Sequence, residues 1–360
     1  MSDSIRFFLP GPTYVLEEVR EQMVRQPIGH RSAAFKELHA RIAERLPQVF
    51  RTQRDVLLVT SSGSLIWDMA AASTLRGNVL CCVNGAFSKR FRTVCEARGL
   101  EVDAIEVPMG EAVDPDLVRD ALRRKSYQAV TLAHNETSTG VLSPLQEIVQ
   151  VVRAESDAMI YVDAVSSLAG ARVEVDAWDV DLLFTGAQKA LALPPGLAFV
   201  TASERVYEAA AQVTGKGYYT DISRWLDKHR GQGTLTTPAV PQLFALDRQL
   251  DIILDEGMEA RWQRHLALRA RTEEWAAANG FTYASSPDTT SPTVSCLKPP
   301  AGIDAPALVK ALLDRGVVVG GGYGAWKPHS FRIGHMGEVR MIHLEELFGA
   351  IEEIVAEKGS

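Results

Sequence analysis

The sequence predicts an α/β protein built around a mostly parallel sheet with helices on both faces. Between about residues 55 and 201, short apolar runs rich in β-branched side chains alternate with stretches of helical periodicity. Strands that are buried on both faces show such continuous apolar runs, and parallel strands need helical crossovers between them. Because the chain has 360 residues, which exceeds the usual size of one domain, we also expect a second, smaller domain.

The elements follow one another in a regular order. The predicted strands are the apolar runs at 56–60, 79–83, 129–133, 159–163, 181–185 and 197–201. The predicted helices lie near 33–48, 64–76, 88–98, 115–124 and 145–155. In the first helix, Phe35, Leu38, Ile42 and Leu46 recur at helical spacing, which predicts one buried face.

The C-terminal third has a different pattern. Residues 240–275 are largely helical, and shorter alternating elements follow. We therefore divide the chain into an N-terminal arm at 1–30, a large domain at 31–256 and a small C-terminal α/β domain at 257–360.

Composition excludes several classes of function. With 46% hydrophobic and 23% charged residues, most of the chain should fold, and a net charge of −7 provides no basic field for nucleic acid. The polar N-terminus and the absence of an apolar run of about eighteen residues predict a cytoplasmic protein with no membrane partner. The four cysteines, Cys81, Cys82, Cys95 and Cys296, fall in apolar patterns without metal-ligand spacing, so we expect buried thiols and no metal site.

In an open α/β sheet, ligands bind beyond the carboxyl ends of the strands. After the first predicted strand comes Ser61-Ser62-Gly63-Ser64, a turn that feeds a helix and suits an anion, although Ser and Gly are also ordinary helix caps. Asp163 ends a buried strand and needs a cationic partner there, unless it caps the next helix. Lys189 follows another buried strand, where desolvation would free its amine for Schiff-base chemistry.

A fourth candidate lies in the small domain. Arg332 follows Phe331 in the short apolar element HSFRIGH, and a guanidinium there could hold a carboxylate through two parallel hydrogen bonds. By itself, a surface ion pair explains this arginine better.

Longer motifs join these residues. The segments HNETSTGV (134–141), YVDAVSSLAG (161–170) and TGAQKALALPPGLA (185–198) resemble, in order, the cofactor segments of class V aminotransferases that use pyridoxal phosphate (PLP). The likeness extends from LPGPT (9–13) to FRIGHMG (331–337) and is strongest to the alanine–glyoxylate and serine–glyoxylate transaminases, with the phosphoserine transaminases near by. It implies the PLP-dependent transferase fold type I with a seven-stranded sheet.

The resemblance implies a role for each matched position. Lys189 would form the Schiff base with PLP and act as general base, Asp163 would face the pyridine nitrogen, and Arg332, together with Gly11, would bind the substrate. The other matched cofactor contacts are Ser62, Gly63, Ser64 and Gln188 at the phosphate, Phe87 and Val165 on the two ring faces, Thr137 at the phenolic oxygen, and Thr237 at the phosphate of the other subunit. A contact supplied by the other subunit implies a homodimer.

Three positions depart from the pattern: Phe87 replaces a larger indole, Thr234 replaces a tyrosine, and Ala187 replaces a serine, so cofactor affinity is less certain than reaction type. The resemblance implies transamination from alanine or serine to glyoxylate or pyruvate. Phosphoserine is the alternative donor if Arg31 or Lys216 points into the site, and another PLP reaction, a lyase or a cysteine desulfurase, is the alternative chemistry.

Overall fold

The computed structural model describes residues 6–359, and the architecture in that range is the predicted α/β arrangement. The strands are β1 (Phe7–Phe8), β2 (Val56–Val59), β3 (Val79–Val83), β4 (Val102–Glu106), β5 (Ala129–Ala133), β6 (Asn135–Glu136), β7 (Val141–Leu142), β8 (Met159–Asp163), β9 (Leu182–Gly186), β10 (Ala198–Ala202), β11 (Thr282–Tyr283), β12 (Val294–Lys298), β13 (Val318–Gly321) and β14 (Phe331–Gly334).

The helices come between them. They are α1 (Glu17–Arg20), α2 (Ala33–Phe50), α3 (Gly63–Thr74), α4 (Ala86–Ala97), α5 (Pro115–Arg124), α6 (Leu145–Glu155), α7 (Glu204–Ala211), α8 (Ile222–Arg230), α9 (Val240–Glu256), α10 (Met258–Ala278), α11 (Ala305–Asp314) and α12 (Met341–Gly359). In residues 6–359, no helix is both long and apolar enough to cross a membrane.

Local chemistry sets where the helices begin. Ser32 accepts a hydrogen bond from the backbone N–H of Phe35 and so caps α2. Asp114 caps α5 in the same way, with Pro115 at the first helical position, where its missing N–H costs nothing. Gly257 separates α9 from α10. Its φ of +78° is a backbone conformation that favours glycine.

The large sheet has the predicted seven strands, in the order β2-β10-β9-β8-β5-β3-β4. Strand β10 is antiparallel to both of its neighbours, whereas the other pairs are parallel. Two apolar clusters cover its two faces, one with α2, α6 and α9 and the other with α3, α4 and α8. The four cysteines are unpaired and buried, as expected.

A second sheet lies in the C-terminal part, in the order β1-β13-β14-β12-β11. It has its own apolar cluster with α10, α11 and α12. Its edge strand β1 comes from the segment that we assigned to an N-terminal arm: Phe7 and Phe8 pair in parallel with Val318 and Val319. The boundaries at residues 30 and 256 remain predictions.

Candidate active site

The carboxyl ends of the parallel strands meet at one edge of the large sheet. The turns that follow β2, β5, β8 and β9 converge there on a cavity of about 300 Å³. This is the position at which open α/β sheets bind ligands. Ten of the twelve predicted site residues line the cavity: Gly11, Ser62, Gly63, Ser64, Phe87, Thr137, Asp163, Val165, Gln188 and Lys189.

Lys189 lies in the turn after β9 and points into the cavity. Its amine donates a hydrogen bond to the carbonyl of Pro10, and its own carbonyl accepts one from Thr13 Oγ1 at 2.9 Å. The side chain is 8% exposed, so its charge is poorly solvated. Burial, and after it the nearby guanidinium of Arg332, lower the pKa of Lys189 to about 8. An amine with this pKa is largely unprotonated at mildly alkaline pH.

Gly11 lies directly against Lys189. A Cβ atom at residue 11 would come within 2.5 Å of Lys189 Nζ, and Gly11 has a φ of +111°. A side chain at residue 11 would therefore both strain the backbone and displace the amine.

Asp163 ends β8 with its carboxylate buried in the cavity wall. Oδ2 accepts a hydrogen bond from Trp67 Nε1 at 3.1 Å, and Oδ1 accepts one from the backbone N–H of Val165 at 2.8 Å. Burial raises the pKa of Asp163 to about 7, although both hydrogen bonds oppose that rise. The carboxyl group is thus held by neutral donors, a setting that favours a cationic ligand atom.

The start of α3 forms one end of the cavity. Ser62 is the N-cap residue, yet its side chain makes no capping hydrogen bond. Two buried polar atoms near by also lack partners, Ser61 Oγ and Gln188 Oε1. Gly63 is required here because a Cβ atom would approach Val165 Cγ2 to 2.9 Å. The unused hydroxyl of Ser61 and the positive end of the helix suit a phosphate or another anion, whereas Gln188 Oε1 can only accept a hydrogen bond.

Phe87 forms part of one wall, and a residue that the sequence analysis missed holds it in place. The fully buried carboxylate of Glu136 accepts hydrogen bonds from the backbone N–H groups of Phe87 and Ser88, at 3.1 and 3.0 Å, and from two serine hydroxyls. These backbone groups belong to the first turn of α4, which has no helical partner for them. Glu136 thereby fixes the backbone from which the Phe87 ring projects, 5.9 Å from Lys189 Nζ.

Arg332 lies beside the cavity, in β14. Its Nε donates to the carbonyl of Gly321 at 2.9 Å and its Nη1 to the carbonyl of Thr137 at 3.0 Å. A guanidinium has five N–H groups, so three remain for a ligand. None of the salt bridges in residues 6–359 involves Arg332. This arrangement suits a carboxylate approaching over Thr137.

Thr237 lies elsewhere. It lines a separate surface depression together with Arg31 and Thr234. Lys216 is also outside the cavity lining and pairs with Asp221, with 3.4 Å between Nζ and Oδ1. Within one subunit, therefore, neither Arg31 nor Lys216 lines the cavity.

The alternative chemistry of a cysteine desulfurase would need a mobile, nucleophilic thiol near the substrate. Cys296 is buried in β12, opposite Arg332 in the strand register, and burial raises the pKa of its thiol. A thiol held in a strand with a raised pKa is a poor mobile nucleophile.

Five other residues line the cavity without having been singled out from the sequence: Pro12, Trp67, Arg90, Asn135 and Pro195. Trp67 lies four residues after Gly63, one turn further along α3, and this spacing could have placed it on the same helix face. Arg90 follows Phe87 by three residues, and its guanidinium lies 5.1 Å from the Phe87 ring centroid. Asn135 is the first residue of β6, two positions after the end of β5.

Comparison with known proteins agrees with this geometry. A sequence model of the family described as "Aminotransferase class-V" matches residues 13–342. An uncharacterized aminotransferase of Methanocaldococcus jannaschii is 38% identical, covering 91% of this chain and 87% of that protein. A serine–glyoxylate aminotransferase of Methylorubrum extorquens is 33% identical, with 96% and 88% covered. The solved ureidoglycine–glyoxylate aminotransferase of Bacillus subtilis superposes with a TM-score of 0.94 at 27% identity, covering 99% of this chain and 94% of that one.

Proposed function

Because the chain belongs to the class V aminotransferases and moves an amino group between an amino acid and a 2-oxo acid, we propose that PLP is its cofactor and that Lys189 holds it covalently. One observation supports this most directly: a buried amine and a buried carboxyl group face a single cavity that ends at an uncapped helix N-terminus. A cofactor with an aldehyde, a basic ring nitrogen and a phosphate matches those three features.

The residues present fit the group. The unpartnered hydroxyl of Ser61 lies next to the start of α3, where Ser62 and Ser64 add further hydroxyl groups that can donate to a phosphate. Phe87 and Val165 are available for the two faces of a ring, and Thr137 for its phenolic oxygen. When bound, PLP withdraws the electrons that a departing Cα proton leaves behind.

The remaining work belongs to side chains of this protein. Arg332 binds the α-carboxylate of the amino acid and so fixes the orientation of its Cα–H bond. The amino group of the incoming amino acid would free the Lys189 amine, and this amine would then take the proton from Cα. Asp163 holds a proton at the ring nitrogen. Burial of these groups keeps water from the reacting atoms.

The proposed donor is a small uncharged amino acid, alanine or serine, and the proposed acceptor is glyoxylate or pyruvate. Relatives named for glyoxylate support the acceptor. Arg332, beside the cavity, is the cation proposed for the α-carboxylate, and Arg90 is a second arginine that lines the cavity. Arg31 and Lys216, which a phosphoserine donor would need, are not part of the cavity within one subunit.

The first test is a spectrum of the purified protein, titrated in turn with alanine, serine and phosphoserine. We expect a visible absorption band from covalently held PLP that bleaches with alanine or serine, because the amino group passes to the cofactor. Bleaching with phosphoserine alone would show that phosphoserine, and not alanine or serine, is the amino donor. A colourless protein that takes up no PLP would contradict the proposal that PLP is the cofactor.

The capture of PLP by the apo-protein should depend on pH. Only the unprotonated amine is a nucleophile, so the rate should rise with pH and level off above the pKa of Lys189, about 8. Stopped-flow absorption across that range measures it. The Arg332→Gln variant should move the midpoint of this rate-versus-pH curve to higher pH, because a positive guanidinium no longer disfavours the protonated amine of Lys189. A capture rate that is independent of pH would refute the assignment of Lys189.

The working unit that we propose is a homodimer in which Thr237 of one subunit reaches the phosphate of the other. The location of Thr237 outside its own cavity is consistent with this arrangement. Sedimentation would measure the mass, and a fully active monomer would exclude the arrangement. A cytoplasmic location stays a prediction from sequence.

A further inference from the structure

We propose that Trp67 is a positioning residue, whose indole N–H sets the Asp163 carboxylate at the angle needed to meet a cationic ring nitrogen. The inference rests on the proposed function, because it assumes that Asp163 faces the pyridine nitrogen of PLP. Nothing in the family resemblance assigned a role to residue 67.

The hydrogen bonds to the Asp163 carboxylate leave it able to accept a further hydrogen bond from a ligand. Trp67 Nε1 donates to Oδ2 at 3.1 Å and the Val165 N–H donates to Oδ1 at 2.8 Å, so each oxygen has one fixed neutral donor. Carboxylate oxygens accept more than one hydrogen bond each. Rotation of the carboxylate would break at least one of these hydrogen bonds, and Trp67 and Asp163 both line the cavity.

Trp67 is itself immobile. It is 3% exposed, its ring stacks on Phe91 at a centroid distance of 6.0 Å, and it meets Phe184 edge-on at 6.3 Å. Phe184 belongs to β9 and Phe91 to α4, so the indole is clamped between the sheet and a neighbouring helix. A donor that does not have to be ordered on binding loses no conformational entropy when the ligand arrives.

Trp67 also links the two ends of the cavity. It lies on α3, one turn beyond Gly63, so the same rigid helix presents its N-terminus to the proposed phosphate site and its indole to Asp163. The distance between the two ligand-binding ends is therefore set within one element.

The electrostatic setting explains why a neutral donor matters. No salt bridge in the described range, residues 6–359, includes Asp163, so its charge has no fixed counter-ion. Two neutral N–H groups stabilise the carboxylate without satisfying it, which leaves it able to gain from a cation brought by the ligand. An arginine in place of Trp67 would compete with that cation.

The test compares PLP with its deaza analogue, in which a C–H group replaces the pyridine nitrogen. Affinities of both for the apo-protein are measured by absorption and fluorescence titration. Wild type should prefer PLP, and Trp67→Phe, which removes the N–H but keeps an aromatic ring, should reduce that preference about tenfold, mainly through weaker PLP binding. Trp275→Phe is the matched control, because it removes a buried indole N–H that donates to Glu352 in the small domain, at 2.8 Å.

The outcomes separate this inference from the proposed function. If Trp67→Phe weakens both ligands equally, Trp67 contributes packing alone and the inference is wrong, while the function stands. If Asp163→Asn leaves the preference for PLP intact, the proposed role of Asp163 fails. Circular dichroism checks folding, and Trp67→Leu, which also lacks the N–H, repeats the comparison if Trp67→Phe does not fold.

Discussion

Replacing Lys189 with alanine is expected to reduce kcat by about 10²–10⁴-fold through the loss of proton transfer alone. No other residue lining the described cavity has an amine, so no neighbour replaces it. The backbone around residue 189 should keep its place, because Thr13 Oγ1 donates to the Lys189 carbonyl rather than to its side chain. The variant should therefore fold and bind PLP without the covalent bond.

The rate of amino transfer from the best wild-type donor measures this effect. Lys310→Ala is the matched control, since Lys310 lies on α11 with its side chain 74% exposed and should leave the rate unchanged. A small soluble amine added to Lys189→Ala should restore part of the rate by entering the emptied space. Unchanged transamination in Lys189→Ala would overturn the mechanism.

Replacing Arg261 with methionine is expected to lower the free energy of unfolding by about 3–5 kcal/mol, because it removes the nearer counter-ion of the buried Glu338 carboxylate and leaves Arg340, at 3.5 Å, as its ion-pair partner. Arg261 is completely buried, and its Nη1 and Nη2 lie 2.8 Å from Glu256 and Glu338, respectively. It also donates to the carbonyls of Ala169 and Ala190, each at 2.9 Å. Urea unfolding measures the loss.

Two controls identify the cause. Arg271→Met removes a partly exposed pair with Glu345 and should change stability within about 1 kcal/mol. Adding Glu338→Gln to Arg261→Met should recover part of the loss, since no uncompensated charge then remains. A double variant as unstable as the single one would show that the packing of Arg261, and not its charge, was lost.

The pH dependence of the same pair has a definite sign. Burial alone would raise the pKa of Glu338, but Arg261, together with Arg264 and Arg340, outweighs burial and holds the pKa below its usual value. In wild type, the lowered pKa of Glu338 stabilises the folded protein at pH values above the pKa that Glu338 has in the unfolded chain. This stabilisation is lost as the pH falls. In the Arg261→Met variant, the Glu338 carboxyl group should instead have a raised pKa. The difference in free energy of unfolding between the variant and wild type should therefore become smaller in acid.

The sequence predicted the interior of the large sheet well because those strands are continuous apolar runs. Five elements of the large domain, β3, β5, β8, α5 and α6, matched the predicted ranges to the residue. The edge strand β4 was missed since it alternates exposed and half-buried residues, which weakens the apolar signal. The pairing of β1 with β13 was also missed, because two residues carry no periodicity and their partners are distant in the chain.

In the site, sequence located residues by motif but not by contact. The convergence of Lys189, Asp163 and the start of α3 follows from strands that end at one edge, a topological rule available in advance. Glu136 and Trp67 act through hydrogen bonds between segments far apart in sequence, which no local pattern reveals. Roles that need a bound cofactor or a second subunit remain predictions.

The pairing of β1 with β13 also bears on how the protein is made. Phe7 is translated before its partner Val318, and the whole large sheet lies between them in the sequence. Pro10 and Thr13, which contact Lys189, lie just beyond that strand. The second sheet therefore gains its edge strand only after Val318 has been translated, and long-range pairings of this kind form slowly. Until then, Phe7 and Phe8 have no strand to pair with.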